Sequence, residues 1–366
     1  MISLVTGSTG FLGTAVVERL LARRAGRIRC FARPNSDRAR LATLASSYDA
    51  GAMEVVIGNL QSVADIEHAL TDVDTIYHLA AAMAGPPATI FLDTVVASSR
   101  LLDAIGSHRV TRLVLISSLS VYGVATVPVD RLVDESTALE PHPENRDPYS
   151  YAKLRQELMV RDHATRTGLE VIILRPGTLY GRRGRAFSPR VGLTVAGWLL
   201  NFGGHNLLPL SHVSNCAEAV VLAGTGKLPA GAYNVVDDDL PTAAEYIRAY
   251  KSAVGDVSSI RCPFFATMLL SKWAARWHSS SGGQIPNSLT PYGVASVWRG
   301  HRFDNRKLQR AGWTQVISTR EALADAFDDL RSRTDHISGR SPKPRRRKRF
   351  GSRAGLSDAW RSSASV

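Results

Sequence analysis

Ile2-Ser-Leu-Val-Thr6-Gly7-Ser8-Thr9-Gly10-Phe11-Leu12-Gly13 is the stretch that decides how the rest of the chain is read. An apolar run gives way to three glycines spaced Gly-x-x-Gly-x-x-Gly, and the residues beyond carry Val16, Val17, Leu20 and Leu21 at helical spacing. The pattern predicts a strand Ile2–Val5, a tight turn and a helix Gly13–Arg24. That context has a chemical use. Glycines allow close backbone approach, and the first N–H groups of a helix lack intrahelical partners, so Gly7 through Gly13 can cradle a pyrophosphate. A plain strand-to-helix turn is the alternative.

Working outward, short β-rich runs alternate with helical patterns. Ile28–Phe31, Glu54–Ile57, Thr75–Leu79, Leu113–Ser117 and Val171–Leu174 read as further strands, and Ser62–Leu70, Ile90–Ile105 and Tyr149–Thr167 as helices. Alternation of this kind predicts an α/β fold with a parallel sheet. After Pro176 the pattern loosens, a strand-like Ala232–Val236 returns, and helices are expected at Thr242–Ala253 and Arg320–Arg331. The reading is therefore a nucleotide-binding domain over 1–178, with 211–236 returning to it, and a smaller C-terminal substrate domain over 179–335.

Composition narrows the setting. The 366 residues are 44% hydrophobic, enough for a sizeable core. The longest apolar runs, Val191–Phe202 and Phe264–Leu270, fall short of the ~20 residues that span a bilayer. With no basic segment before Ile2, a cytoplasmic protein is expected, peripheral at a membrane surface at most. Cys30, Cys216 and Cys262 have neither ligand spacing nor an even count, so neither disulfides nor a metal site is expected. The net charge of +13 is uneven: from Arg331 onward eleven Lys/Arg face two Asp/Glu, leaving +4 for the body. Residues 336–366 read as a basic disordered tail, either solvated or touching anionic lipid or nucleic acid.

About twenty residues past the glycines stands Arg33. A guanidinium suits a 2′-phosphate, whereas an acid would suit a ribose hydroxyl, so NADP(H) is favoured over NAD(H). Arg38 can assist, and Asp37 is the residue that would support NAD(H). Farther on, the apolar run Leu113-Val-Leu-Ile-Ser117-Ser118 ends in hydroxyls at a strand's carboxyl end, where doubly wound sheets bind ligands. Asp147-Pro148-Tyr149-Ser150-Tyr151-Ala152-Lys153 then opens a helix with Tyr149 and Lys153 four apart, on one face. A tyrosine ionises near pH ~10, and a nearby ammonium stabilises its phenolate. Ser118 opposite could polarise a substrate oxygen.

Together these segments resemble the extended short-chain dehydrogenase/reductase superfamily, the NAD-dependent epimerase/dehydratase family. The resemblance spans about residues 2–330 and implies a Rossmann doubly wound sheet. It implies Tyr149 as acid/base, Lys153 on the nicotinamide ribose, and Ser118 orienting the reacting oxygen. Gly58-Asn59-Leu60 resembles the turn near the adenine, with Asn59 for the usual Asp. His78-Leu79-Ala80-Ala81 resembles the strand ending along the cofactor, and Arg175-Pro176-Gly177-Thr178 the passage beside the nicotinamide. Two departures stand out: Thr94 replaces a usual Asn, and Ser214-Asn215 a usual Asp pair. In character the chain is nearest the 3β-hydroxysteroid dehydrogenase-like and dihydroflavonol reductase-like group. Where sugar-nucleotide members carry an arginine for the diphosphate, Leu208 and Leu210 stand, which favours a lipophilic ketone or secondary alcohol as the small-molecule substrate; Arg182, Arg183 and Arg185 weigh the other way. Phe265, Leu269, Trp273 and Trp277 at helical spacing read as core, a homodimer seam, a lid or a membrane-surface helix. A nucleotide-sugar epimerase/dehydratase and a non-catalytic dinucleotide-sensing regulator are the competing functions.

Overall fold

The computed structural model describes residues 1–129, 131–280 and 290–337; the expected tail lies outside the described residues from 338 onward. Seven strands form one parallel sheet: β1 (Ile2–Thr6), β2 (Arg27–Ala32), β3 (Met53–Ile57), β4 (Thr75–His78), β5 (Arg112–Ile116), β6 (Glu170–Pro176) and β7 (Gly231–Val235). Their order is β7-β6-β5-β4-β1-β2-β3, so the sequence direction reverses between β1 and β4. A crevice opens there, at the strands' carboxyl ends, and doubly wound sheets place ligands in it.

The continuous apolar character of these strands follows from burial on both faces. Val5, Tyr77, Val114 and Leu174 join one core with Val16, Val17 and Leu20 of helix α1 (Phe11–Ala22). Their neighbours Leu4, Ile76, Leu113, Leu115 and Ile173 pack on the other face with Ile66, Leu101 and Val160. Each such side chain, fully buried, stabilises by about 1.5–3 kcal/mol. Helix α2 (Pro148–Thr167) starts where Asp147 accepts the Ser150 N–H at 3.0 Å with Pro148 in the first turn, and it stops at Gly168, whose φ is +74°.

Several elements were not anticipated. Helix α3 (Val213–Gly224) hid in a stretch read only as returning to the sheet; it packs on α1 through Cys216, Val220 and Ala223. A helix at Ala39–Ser47 and one at Pro291–Trp298 were also missed. The helix expected at Ile90–Ile105 begins at Pro87, and its Leu92–Val96 turn is π-helical. In the second lobe, Leu193–Val195, Trp198–Asn201 and Ser259–Arg261 form a small sheet. Tyr180, Leu208, Leu210, Tyr246 and Phe327 form its core. Among the described residues no helix is long and apolar enough to cross a membrane.

The contact of α3 with the sheet is tight enough to test. A Cβ on Gly224 would fall 1.9 Å from the Tyr77 hydroxyl and 2.2 Å from its ring. Gly224→Ala is expected to cost about 1–3 kcal/mol in urea denaturation, and less in a Tyr77→Leu background, where the obstructing ring is gone.

Candidate active site

The glycine loop emerges from β1 with Gly7 at φ +69°. A Cβ on Gly7 would press on the Ala80 backbone nitrogen at 2.9 Å, and one on Gly13 would strike the Gly7 carbonyl at 2.0 Å. The loop therefore lies flat on the end of β4, where Leu79, Ala80 and Ala81 run beside it, and the Ala80 N–H donates to Thr6 Oγ1 at 3.3 Å. Gly10 begins α1 with no side-chain cap and no acid in the first turn, leaving the helix's first N–H groups open to an anion. Not every loop side chain faces that opening. Ser8 is buried and donates to the Phe31 carbonyl at 3.0 Å, and Leu12 is buried in the core, so these two offer only backbone. Thr9, Gly10 and Phe11 are the outer members. An uncapped helix start above a cradle that tolerates no Cβ fits a dinucleotide pyrophosphate.

At the other end of the crevice, Arg33 lies just past β2 with its side chain 70% exposed, 3.3 Å from Asp93. Asp93 also accepts from Gln61 at 2.8 Å, and the Gln61 N–H donates to the Asn59 side chain at 3.0 Å. Arg33, Asp93, Gln61 and Asn59 thus form one polar rim. Asp93, on the helical stretch after β4, was not foreseen. Asp37 is occupied in the turn, accepting from the Ala39 N–H, while Arg38 donates to the Pro34 carbonyl. Leu60 packs inward with Phe31 and Ile66. Pro176, Gly177 and Thr178 close the crevice at β6; a Cβ on Gly177 would meet the Pro209 carbonyl at 2.1 Å.

Ser118, Tyr149 and Lys153 meet at the end of β5. Ser118 accepts from the Ser120 N–H at 3.1 Å, holding its hydroxyl at the strand end. Burial pushes the Tyr149 phenol up to about 12, partly offset by its hydrogen bond with Ser118. Lys153 is buried; its ammonium donates to the Ile116 carbonyl at 2.5 Å and to Gln156 Oε1 at 2.9 Å. Burial pushes it down to about 7, against the pull of Glu157. The expected lowering of Tyr149 by Lys153 is therefore corrected: the ammonium is engaged by the β5 backbone, and desolvation of the phenolate dominates.

Around the three lies a buried network that sequence reasoning missed. Gln156 donates to Ser98 Oγ at 2.7 Å, and Ser98 and Thr6 hydrogen-bond the two ring nitrogens of His78, each at 2.8 Å. Burial, then the nearby Lys153, hold His78 near 3, so its imidazole is neutral. Thr94, in the π-turn, accepts from the Ala82 N–H at 3.1 Å. One turn beyond Lys153, Glu157 takes the Ser117 hydroxyl at 2.6 Å and the Arg175 guanidinium at 2.5 Å. Burial alone would raise that carboxyl; Arg175 holds it below its ordinary value. Glu157 shares the face of Tyr149 and Lys153, a signal legible in the sequence. For Gln156 and Ser98 there was none.

A protein-family model described as the NAD dependent epimerase/dehydratase family matches residues 3–235, well over half of the chain. The chain belongs to that family. Members are nicotinamide-dependent enzymes. The uncharacterized UDP-glucose epimerase YtcB of Bacillus subtilis (strain 168) is 31% identical over 192 residues, 50% of this chain; the chain spans 58% of that relative's length. The 3-beta-hydroxysteroid dehydrogenase of Mycolicibacterium neoaurum is 26% identical over 348 residues, covering 88% of this chain and 90% of that one. Among solved structures, the Thermus thermophilus UDP-glucose 4-epimerase complex with NAD superposes with a TM-score of 0.67 at 22% identity, over 90% of this chain and 99% of that one, a likeness of fold.

Within this family member, a surface cleft lies beside the start of α2, and its lining includes none of Ser118, Tyr149 and Lys153. Pro87, Phe91, Pro143, Pro148 and Tyr151, with Glu144 and Arg146, line this cleft of about 320 Å³. Leu208 and Leu210 are buried in the second lobe's core and offer an anion neither charge nor access. Arg182 is paired with Asp325 at 2.9 Å, so its guanidinium is held by an acid of the last helix, and the Arg183 backbone N–H donates to Asp329. Arg190, by contrast, has no carboxylate at ion-pair distance among the described residues. It lies 5.6 Å from the Phe303 ring, and burial and the nearby Arg146 push it down to about 10. Asn215 binds Asp237 and the backbone of Val316 and Ile317, so the Ser214-Asn215 departure serves a structural knot.

The depressed Lys153 has a thermodynamic signature. Between pH ~7 and its unfolded value of ~10.4, the unfolded chain binds a proton that the folded chain does not, so stability rises with pH through that window. The melting temperature of the wild type minus that of Lys153→Met is expected to increase from pH 7 to pH 10. A flat or falling difference contradicts a depressed Lys153.

Proposed function

We propose that this family member is an oxidoreductase moving a hydride between a nicotinamide cofactor and a ketone or secondary alcohol of a lipophilic substrate. The observation that carries the reading is the meeting of Ser118, Tyr149 and buried Lys153 beside the glycine loop. When bound, the nicotinamide supplies or accepts the hydride. The chain's own residues would do the rest. Gly7 to Gly13 would hold the pyrophosphate through backbone N–H groups, Leu79 to Ala81 and Pro176 to Thr178 would flank the cofactor, and Lys153 would hold the nicotinamide ribose. Ser118 donates a hydrogen bond to the reacting oxygen. The Tyr149 phenol passes a proton to that oxygen as the carbonyl is reduced, or takes it as the alcohol is oxidised. Its raised pKa keeps it protonated near neutrality, the form that carbonyl reduction uses.

Likeness to the Mycolicibacterium dehydrogenase over nearly the whole of both chains and the sealed Leu208 support a lipophilic substrate. Arg190 favours the second reading, a sugar-nucleotide epimerase, because a half-buried guanidinium with no carboxylate at ion-pair distance among the described residues suits a substrate anion. Net turnover separates the two, since an epimerase regenerates its cofactor on the enzyme. Steady absorbance change from the reduced cofactor with a hydrophobic ketone or alcohol is expected, with weak binding of UDP- and dTDP-sugars. UDP-sugar conversion without net cofactor change would establish the epimerase. Tyr149→Phe is expected to lower turnover by about 10²-fold or more while leaving dinucleotide affinity nearly unchanged.

Arg33 supports a preference for NADP(H). Its partner Asp93 is a partly exposed ion pair of little strength, so a phosphate can displace it. Arg33→Asp is expected to shift the NADP(H)-to-NAD(H) affinity ratio by about tenfold toward NAD(H). Equal affinities of the wild type for both cofactors would remove the basis for the preference.

A further inference from the structure

Helix α4 (Phe264–Ser280) has its polarity reversed. Its inward face presents Thr267 and Ser271, both buried, with Met268 against Phe202, Val294 and Trp298. Its outward face presents Phe265, Leu269, Trp273 and Trp277, four residues apart and 68%, 61%, 52% and 52% exposed. The two indole rings stack on each other at 4.4 Å. A helix on a soluble surface turns its aromatics in and its hydroxyls out. The exposure continues into the small sheet that leads into α4, where Ile260 is exposed, as are Val195 and Trp198 on the neighbouring hairpin.

Charge along this region has one sign. From 257 to 303 the sequence holds no Asp or Glu, against Arg261, Lys272, Arg276, Arg299 and Arg302. Lys272 and Arg276 are exposed on α4, beside the aromatic row. An apolar helix face with tryptophans and flanking cations has the composition of a segment lying in the headgroup layer of a bilayer. We propose that α4 is a monotopic docking face for an anionic lipid bilayer, with Phe265, Leu269, Trp273 and Trp277 entering the interface and Lys272 and Arg276 meeting lipid phosphates. A second copy of the chain fits less well. A two-fold contact through this face would set Lys272 and Arg276 against their own counterparts, with no carboxylate in the stretch to pair them. The proposal is independent of which substrate the site takes.

Vesicle flotation with the full-length chain tests it, because the basic C-terminal sequence is then common to every variant. Wild type is expected to float with phosphatidylcholine/phosphatidylglycerol vesicles and much less with phosphatidylcholine alone, and part of that binding should survive about 0.5 M salt, where exposed charges are screened. Trp273→Ser with Trp277→Ser is expected to reduce the salt-resistant part by about tenfold or more, with dinucleotide affinity and melting temperature unchanged. Lys272→Glu with Arg276→Glu should reduce the low-salt part. Should the tryptophan pair impair folding, Phe265→Ser with Leu269→Ser gives the same readout. Failure of the wild type to float on anionic vesicles, or a tryptophan variant that floats like wild type at high salt, overturns the proposal. So does a wild-type dimer, indifferent to vesicles, that the same substitutions dissociate.

Discussion

The buried ammonium of Lys153 on the Ile116 carbonyl is the contact on which the candidate site depends. Removing a cation from water is costly, and the cost is offset only where its hydrogens are received by well-placed acceptors. Ile116 ends β5 and Gln156 lies one turn beyond Lys153 on α2, so the charge can be accommodated only if α2 seats at one height on the sheet. That seating brings Tyr149 to Ser118. Through Gln156, Ser98 and His78 the same chain of hydrogen bonds reaches Thr6, the residue before the glycine loop. Phosphate cradle and proton donor are thus held by one network, and the neutral imidazole at its centre follows from the low dielectric that also depresses Lys153.

A second buried charge works in parallel. Glu157 joins Ser117, just past β5, to Arg175 on β6, and Arg175 lies 4.5 Å from the centre of the Tyr122 ring. The Tyr122 hydroxyl donates to Asn234 on β7 at 2.7 Å, and Asn234 in turn donates to the carbonyls of Val133 and Asp304. This network stitches the last two strands to the loop carrying Ser118 and to the closing segment after Phe303. Buried polar groups paired in this way specify one arrangement more sharply than apolar packing does, although Arg175 Nη1 has no hydrogen-bond partner among the described residues. Arg190 is the counterexample, a half-buried cation with no carboxylate at ion-pair distance among the described residues.

Much of this was determined by the sequence alone. The strands' continuous apolar character, the glycine spacing and the helix caps at Asp147 and Gly168 are local signals, set by backbone sterics and by burial on both faces of a parallel sheet, and they place β1, α1, β5 and α2 within a residue or two. Tyr149 and Lys153 share a face because 3.6 residues make a turn. Helix α3 escaped notice because its near-uniform apolar run, buried against α1 and the sheet, has no polar face to give it a period.

Only the tertiary structure decided what the buried groups do to one another. Lys153 was expected to lower the Tyr149 pKa, but the Ile116 carbonyl, thirty-seven residues away in sequence, takes the ammonium. Asp93 reaches Arg33 across sixty residues, and Leu208 proved to be a core residue. The aromatic row of α4 has the spacing of a core stripe, and whether such a stripe faces in or out depends on what packs against it: here Thr267 and Ser271 took the inner side. Desolvation, pairing and facing are properties of neighbours brought together by folding, and for that reason no local pattern carries them.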